Sequence, residues 1–259
     1  MFPIFEIKKV TEFLGIIPAR YASTRFPGKP LAMLGDKAMI QWVYERASSL
    51  FEHLVVATDD ERIRQAVQQF GGRVLMTSPE HRSGTERCAE AAELYERESG
   101  LRFSHVVNIQ GDEPLIQVKQ LQTLLSCFQA PGTGIATLIR RLTNPEELAN
   151  PNVVKVVVDQ SFRALYFSRA SIPHVRSSEA EGVPGKLPFY AHIGLYAFQR
   201  EILEELVQLS PSLLEQAESL EQLRWMEHGI PIRTAVTTLP SIGVDTPEDL
   251  ERIRKQGSF

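Results

Sequence analysis

Short apolar runs rich in β-branched residues alternate along most of the chain with stretches whose apolar positions recur every three or four residues, and this alternation constrains the fold more than any other feature. Strand-like runs fall at residues 13–18, 54–58, 73–77, 106–109, 135–139 and 153–158, with helical stretches at 40–47 and 63–70 between the first of them. The unbroken run Val55, Val56, Ala57 suits a strand covered on both faces, as in the middle of a parallel sheet flanked by helices. Stripes at Ile40, Val43, Tyr44 and Ala47, at Ala89, Ala92 and Tyr95, and at Leu121, Leu124 and Leu125 supply that cover. The order βαβα predicts an α/β fold. Runs at 153–159, 164–167 and 193–198 follow with no long helix between the first two, which predicts antiparallel strands added to a parallel core. Helices return at 201–206 and 220–227, then a strand at 232–236 and a terminal helix opened by Thr246, Pro247, Glu248 and Asp249.

At 259 residues, 43% apolar and 23% charged, the chain is suited to one large α/β domain with a sizeable core and is neither disordered nor collagen-like. A formal net charge of -4 gives no general attraction for nucleic acid or for an anionic membrane, so any anion must be met by a local cluster. Cys88 and Cys127 are isolated, with no zinc-type spacing and no disulfide framework, which fits a reducing, cytoplasmic compartment. The first residues show no basic segment ahead of an apolar stretch, and nowhere do eighteen apolar residues run together, so a soluble protein with no membrane span is expected.

The stretch IIPARYASTRFPGKP, residues 16–30, sets Arg20, Arg25 and Lys29 among small, hydroxyl, Gly and Pro residues directly after the first strand. Loops at the carboxyl ends of parallel strands receive ligands, and Arg, Lys and free amides suit phosphate oxygens. The stretch matches neither the P-loop nor the dinucleotide fingerprint, and a solvated basic loop with a Pro27-Gly28 turn is the plain alternative. In VVNIQGDEP, residues 106–114, a buried strand ends at Gly111, Asp112 and Glu113, where one carboxylate at a strand end suits Mg²⁺ with phosphate and water. A Gly-Asp turn ahead of Pro114 is the alternative there. GVDTPEDLERI, residues 243–253, holds a capping box of Thr246 and Asp249, which leaves Asp245 outside the cap and able to face a metal. HRSGTER, residues 81–87, puts Ser83, Gly84 and Thr85 ahead of a helix, as phosphate or base ligands or as plain N-caps. Asp59 and Asp60 read as caps, and none of the six histidines has metal-ligand spacing, although His192 stands out within an apolar run.

In this order, IIPARYASTRFPGKP, VVATDDERI, HRSGTER, NIQGDEP, NPNVVKVV, ALYFSRASIP, HIGLYAF, LEQLRW and GVDTPEDLERIR closely resemble the CMP-Kdo synthetases, the 3-deoxy-manno-octulosonate cytidylyltransferases. The resemblance runs over nearly the whole chain after the N-terminal segment 1–12, which the family pattern does not need. It implies a three-layer nucleotidyltransferase (Rossmann-like) α/β fold with a predominantly parallel central sheet. Residues 1–259 would form a single domain in which residues 150–198 make a small dimerisation and sugar-binding lobe of a homodimer. It also implies Mg²⁺ dependence and transfer of CMP from CTP to the anomeric hydroxyl of Kdo, releasing pyrophosphate for lipopolysaccharide assembly. By the same resemblance Arg20 and Lys29 clamp the triphosphate with Ser23 nearby, and Ser83 and Gly84 help to bind the nucleotide. Asp112 and Asp245 match the carboxylates that hold Mg²⁺, and Arg25, Gln110, Arg169, His192, Tyr196, Glu221 and Gln222 match the sugar-binding set. The segment 177–188 reads as a polar loop with Gly182, Pro184 and Gly185, and its part 177–186 is where members vary, which leaves a related acidic sugar such as 8-amino-Kdo as the alternative substrate.

Overall fold

The computed structural model describes residues 9–22, 25–176 and 187–257. Ser23 and most of the polar loop at 177–188 lie outside the described residues. The chain divides into two compact units, the described parts of Met1–Leu121 with Ser241–Phe259, and of Gln122–Pro240.

The first unit is built on βαβ grammar. Its elements are β1 (Val10–Ala19), the short pair β2 (Met33–Leu34) and β3 (Lys37–Ala38), α1 (Met39–Ser48), β4 (Phe51–Thr58), α2 (Glu61–Gln69), β5 (Val74–Met76), α3 (Gly84–Ser99) and β6 (His105–Asn108). The segment returning at the end of the chain adds the helix Pro247–Gln256. Strands β6, β1, β4 and β5 lie side by side in that order and all run parallel, with Ile16 opposite both Val55 and Asn108. The apolar run in β1 is there because both faces are covered: Leu14, Ile16 and Ile17 have no exposed surface, nor do Val56 and Ala57 in β4. Each such Leu, Ile or Val side chain contributes about 1.5–3 kcal/mol of transfer free energy. Parallel strands send all their carboxyl ends to one edge, so the segments that begin at Arg20, Asp59, Thr77 and Ile109 emerge on the same side.

The second unit holds the end of α4 (Val118–Ser126), then β7 (Ile135–Arg141), α5 (Pro145–Ala149), β8 (Lys155–Val158), β9 (Ala164–Ser168), β10 (Tyr190–Gln199), α6 (Arg200–Leu206), α7 (Leu213–Glu218), α8 (Glu221–Glu227) and β11 (Ile232–Val236). Here β11 is parallel to β7, β10 is antiparallel to β7 and β8, and β8 is antiparallel to β9, so the antiparallel strands expected from residues 153–198 are present. The segment 150–198 lies inside this unit. The register of β10 on β7 shifts between Ile193 and Tyr196, and the Thr137 hydroxyl sits against the carbonyls of Ile193 and Leu195 at 3.0 and 2.9 Å, where the shift interrupts the ladder. The sequence reading had no counterpart for β2, β3, α5 or α7. Among the described residues no helix is long and apolar enough to cross a membrane.

Candidate active site

A cavity of about 290 Å³ opens in the first unit where the strand ends meet. Of the residues singled out in the sequence, Arg20, Arg25, Lys29, Ser83, Gly84, Gln110, Asp112 and Asp245 all line it.

Lys29 is set by the turn before it. Gly28 has φ 71°, a left-handed conformation that favours glycine, and its N–H donates to the carbonyl of Tyr21 at 2.9 Å. The Tyr21 ring lies 3.0 Å from where a Cβ on residue 28 would stand, and the Arg62 guanidinium stacks 3.3 Å from the ring centroid. Lys29 then opens a single 3₁₀ turn, Lys29–Leu31.

Asp112 follows a turn packed closely against the end of β1. A Cβ on Gly111 would stand 3.1 Å from the Pro18 carbonyl oxygen, a tight contact that would press the turn away from the strand. Asp245 arrives from the far end of the chain because Val244, Leu250 and Ile253 pack with Leu34 and Met39 in one buried cluster. The Val244 N–H donates to the Asp112 carbonyl at 2.9 Å. The capping box read at Thr246 and Asp249 is formed, and the Asp249 carboxylate accepts from the N–H of Asp245 as well as of Thr246. Asp245 therefore keeps its own carboxylate for the cavity.

The result is a dense charge cluster. Lys29 Nζ is 2.6 Å from Asp112 Oδ2 and 3.5 Å from Asp245 Oδ1, while Arg25 reaches the same Asp245 oxygen at 3.1 Å. Two carboxylates already converging on one cation are the donor set Mg²⁺ uses, since it takes one or two protein carboxylates and completes its shell with phosphate oxygens and water. Among the described residues no group of three or more His, Cys, Asp or Glu forms an all-protein cage, and Mg²⁺ does not need one.

On another part of the cavity wall Ser83 is the N-cap of α3, its Oγ accepting from the Glu86 N–H at 3.2 Å, and Gly84 is the first helical residue. The capping reading of HRSGTER thus holds for Ser83, and the helix start it creates faces the cavity. The preceding turn is braced by His81, which pairs with Glu90 at 2.5 Å, while Glu90 also accepts from the Ser78 N–H. Arg82 and Arg87 line the cavity too and were not singled out in the sequence. Arg87 is buried, donates to Thr77 Oγ1 at 2.6 Å and pairs with Asp59 at 3.3 Å. Its position one helical turn after Ser83 was the available signal. Of Asp59 and Asp60, only Asp60 caps α2, accepting from the Arg62 N–H, whereas Asp59 pairs with Arg87.

In the second unit, His192 and Tyr196 on β10 stand beside the start of α8. The His192 ring packs edge-on to Phe167 and tilted against Tyr196, with centroids 5.0 and 5.2 Å away, and burial pushes its pKa down to about 3. The ring is therefore neutral near pH 7. His192 Nε2 lies 3.0 Å from the Thr137 hydroxyl oxygen. Tyr196 is buried against Phe198 and Trp225, and burial together with the Glu221 carboxylate pushes its pKa well up, so it keeps its proton. Among the described residues, its hydroxyl and the Nε2 of Gln222 are buried without hydrogen-bond partners. Unpaired buried polar groups are costly and rare, which marks this spot as one where a polar ligand would supply the missing partners.

Arg169 follows β9 in a different environment. Its Nε donates to the Glu218 carbonyl at 2.7 Å, and its two terminal nitrogens to the carbonyls of Pro151 and Ser219 at 3.1 and 3.3 Å. Its main-chain N–H donates to the Glu218 carboxylate, and its carbonyl accepts from the buried Lys155 ammonium at 2.6 Å. The guanidinium therefore braces the chain just ahead of Glu221 and Gln222.

Comparison with known proteins agrees with this geometry. The cytidylyltransferase family profile matches residues 14–233. The 3-deoxy-manno-octulosonate cytidylyltransferase of Bacteroides thetaiotaomicron is 52% identical over 243 residues, 93% of this chain and 96% of that protein. The protein of the same name from Phocaeicola vulgatus is 52% identical over 93% of this chain and 95% of its own length. Among solved structures, CMP:2-keto-3-deoxy-manno-octonic acid synthetase complexed with CTP superposes with a TM-score of 0.86 at 43% identity, covering 95% of this chain and 98% of that one. A cytidylyltransferase from Leptospira borgpetersenii, at 19% identity and a TM-score of 0.60 over 95% of this chain and 86% of that one, shares the fold alone. With its parallel strands and flanking helices, the chain has the α/β nucleotidyltransferase fold and belongs to the cytidylyltransferase family, within which it stands with the 3-deoxy-manno-octulosonate cytidylyltransferases.

Proposed function

We propose that this protein transfers CMP from CTP to the anomeric hydroxyl of Kdo, releasing pyrophosphate and forming CMP-Kdo for lipopolysaccharide biosynthesis. The observation that carries the reading is the convergence of Lys29, Asp112 and Asp245 in a cavity at the carboxyl ends of the parallel strands. The names of the relatives favour Kdo over an 8-amino analogue.

In the reaction the sugar hydroxyl oxygen forms a bond to the α-phosphorus as the bond from that phosphorus to the bridging oxygen breaks. The bond's electron pair leaves with pyrophosphate, and the hydroxyl proton passes to solvent. Negative charge builds up on oxygens that Arg20 and Lys29, both lining the cavity, would neutralise. Ser83 and Gly84 present the start of α3 to the nucleotide. Asp112 and Asp245 would hold Mg²⁺, which when bound supplies further positive charge to the phosphate oxygens. We assign Arg25 and Gln110 to sugar binding, together with Arg169, His192, Tyr196, Glu221 and Gln222. The neutral His192 ring, the Tyr196 hydroxyl, the Glu221 carboxylate and the Gln222 amide are the mixture of groups that a polyhydroxylated acid calls for.

The resemblance to the CMP-Kdo synthetases supports a homodimer using the 150–198 segment. Cytoplasmic residence is supported by two free, buried cysteines. The test is pyrophosphate release from CTP, UTP, ATP and GTP, with and without Mg²⁺, with Kdo, with 8-amino-Kdo or with neither sugar, alongside EDTA. Release from CTP that requires both Kdo and Mg²⁺ is expected. Turnover with the amino sugar but not Kdo, or with another nucleotide but not CTP, would overturn the assignment.

A further inference from the structure

The residue beside Asp112 has no part in the chemistry above, yet it is a carboxyl group placed almost wholly out of water. Glu113 is 8% exposed, and its Oε2 accepts a hydrogen bond from the Ser241 hydroxyl at 2.7 Å. A buried carboxyl carries a desolvation cost that an apolar side chain would avoid, so its presence calls for a reason. Ser241 begins the segment that returns to the first unit, four residues ahead of Asp245. Between them, among the described residues, nothing lies within 4 Å of the Cβ position of Gly243, so packing there does not fix the path of the chain.

What does fix it is a pair of ties to the Asp112 turn. One is the Ser241 to Glu113 bond between side chains, and the other is the main-chain bond from Val244 to Asp112 at 2.9 Å. A segment held at 241 and at 244 to residues 113 and 112 has its register set against that turn, and Asp245 is the next residue. We propose that Glu113 and Ser241 are a positioning pair that sets the Asp245 carboxylate at the right separation from Asp112 to share a divalent cation. The inference rests on assigning Asp112 and Asp245 to that cation. Neither Glu113 nor Ser241 touches substrate; they act through the two aspartates.

The experiment titrates the purified full chain with Mn²⁺ alone and counts free ion by electron paramagnetic resonance, comparing wild type with S241A, E113A, E113Q, D112N and D245N. Outer groups that orient metal ligands are typically worth about 10–100-fold in metal affinity. S241A and E113A are expected to weaken Mn²⁺ binding by about tenfold and to raise the Mg²⁺ concentration needed for half-maximal pyrophosphate release to match. E113Q keeps a side-chain oxygen able to accept from Ser241, so it is expected to restore affinity to within about threefold. If E113A does not fold, S241A alone carries the comparison. Wild-type Mn²⁺ affinity in S241A, or E113Q as weak as E113A, would overturn the pair. Affinity lost in D112N and D245N but kept in S241A sinks the pair and leaves the metal assignment standing. Affinity kept in both aspartate variants sinks the metal assignment and the pair with it.

Discussion

Lys29 and Asp112 stand 83 residues apart in sequence, yet the ammonium of one lies 2.6 Å from the carboxylate of the other, and the same ammonium reaches Asp245 at 3.5 Å. The cluster holds its charges in contact with solvent, the side chains of Lys29, Asp112 and Asp245 being 14%, 31% and 51% exposed. Charge removal there falls mainly on catalysis. Asp112→Asn is expected to lower kcat at least about a hundredfold. Circular dichroism melting is expected to shift by only a few degrees, since about 1 kcal/mol moves Tm by ~2–4 °C in a chain of this size class. A variant with wild-type kcat would remove Asp112 from the reaction.

Tyr196 offers a sharper separation of stability from function. Among the described residues its buried hydroxyl has no partner, so Tyr196→Phe removes an unsatisfied group while keeping the ring against Trp225 and Phe198. The variant is expected to be as stable as wild type or more so, by up to ~1 kcal/mol, because deleting an unpaired buried hydroxyl relieves its desolvation penalty. The KM for Kdo is expected to rise about tenfold, with the KM for CTP little changed. Lower stability with an unchanged sugar KM would show that the hydroxyl has a structural partner instead.

For Arg169 the three main-chain carbonyls it serves set the expectation. Arg169→Ala leaves acceptors on both sides of Ser219, which itself has φ 52°, so both Tm and the sugar KM are expected to worsen. Arg169→Lys is expected to rescue little, since one ammonium does not reproduce a planar fork reaching separate carbonyls. Full rescue by lysine, read from thermal melts and sugar titrations, would argue that charge alone matters there.

His192 links the second unit to pH. With its folded pKa pushed down to about 3 by burial, the unfolded chain takes up a proton below about pH 6.5 that the folded chain refuses. Its contribution to stability is therefore complete above pH 6.5 and is lost as the pH falls from there toward 3. Between pH 7 and 5 wild type is expected to lose roughly 1–2 kcal/mol more than His192→Gln, measured by urea denaturation. Parallel losses in the two proteins would count against a buried neutral ring.

The parts of the fold that could be read in advance are those whose cause is local. β1 and β4 announce themselves because a strand covered on both faces must be apolar at every position, and the box at Thr246 and Asp249 closes within a single turn. α5 and α7 escaped the reading because neither has a buried residue and so neither has an apolar stripe; caps at Asn144 and Ser212 define them instead. The Ser212 to Glu215 spacing was a legible signal for α7. The two residues of β2 and of β3 are too short to show a period.

The residue types of the site, and the strand ends and helix starts that present them, were thus written locally in the chain. Their meeting was not. Asp245 reaches Lys29 because Leu34, Met39, Val244, Leu250 and Ile253 bury one another, and Glu113 finds Ser241 across the same closure. The orphaned groups on Tyr196 and Gln222 and the bracing role of Arg169 likewise depend on what packs beside them. Local pattern encodes which face of an element seeks burial; which distant faces bury each other is decided by the packing of the whole, and charge, exposure and hydrogen-bond partners follow from that choice.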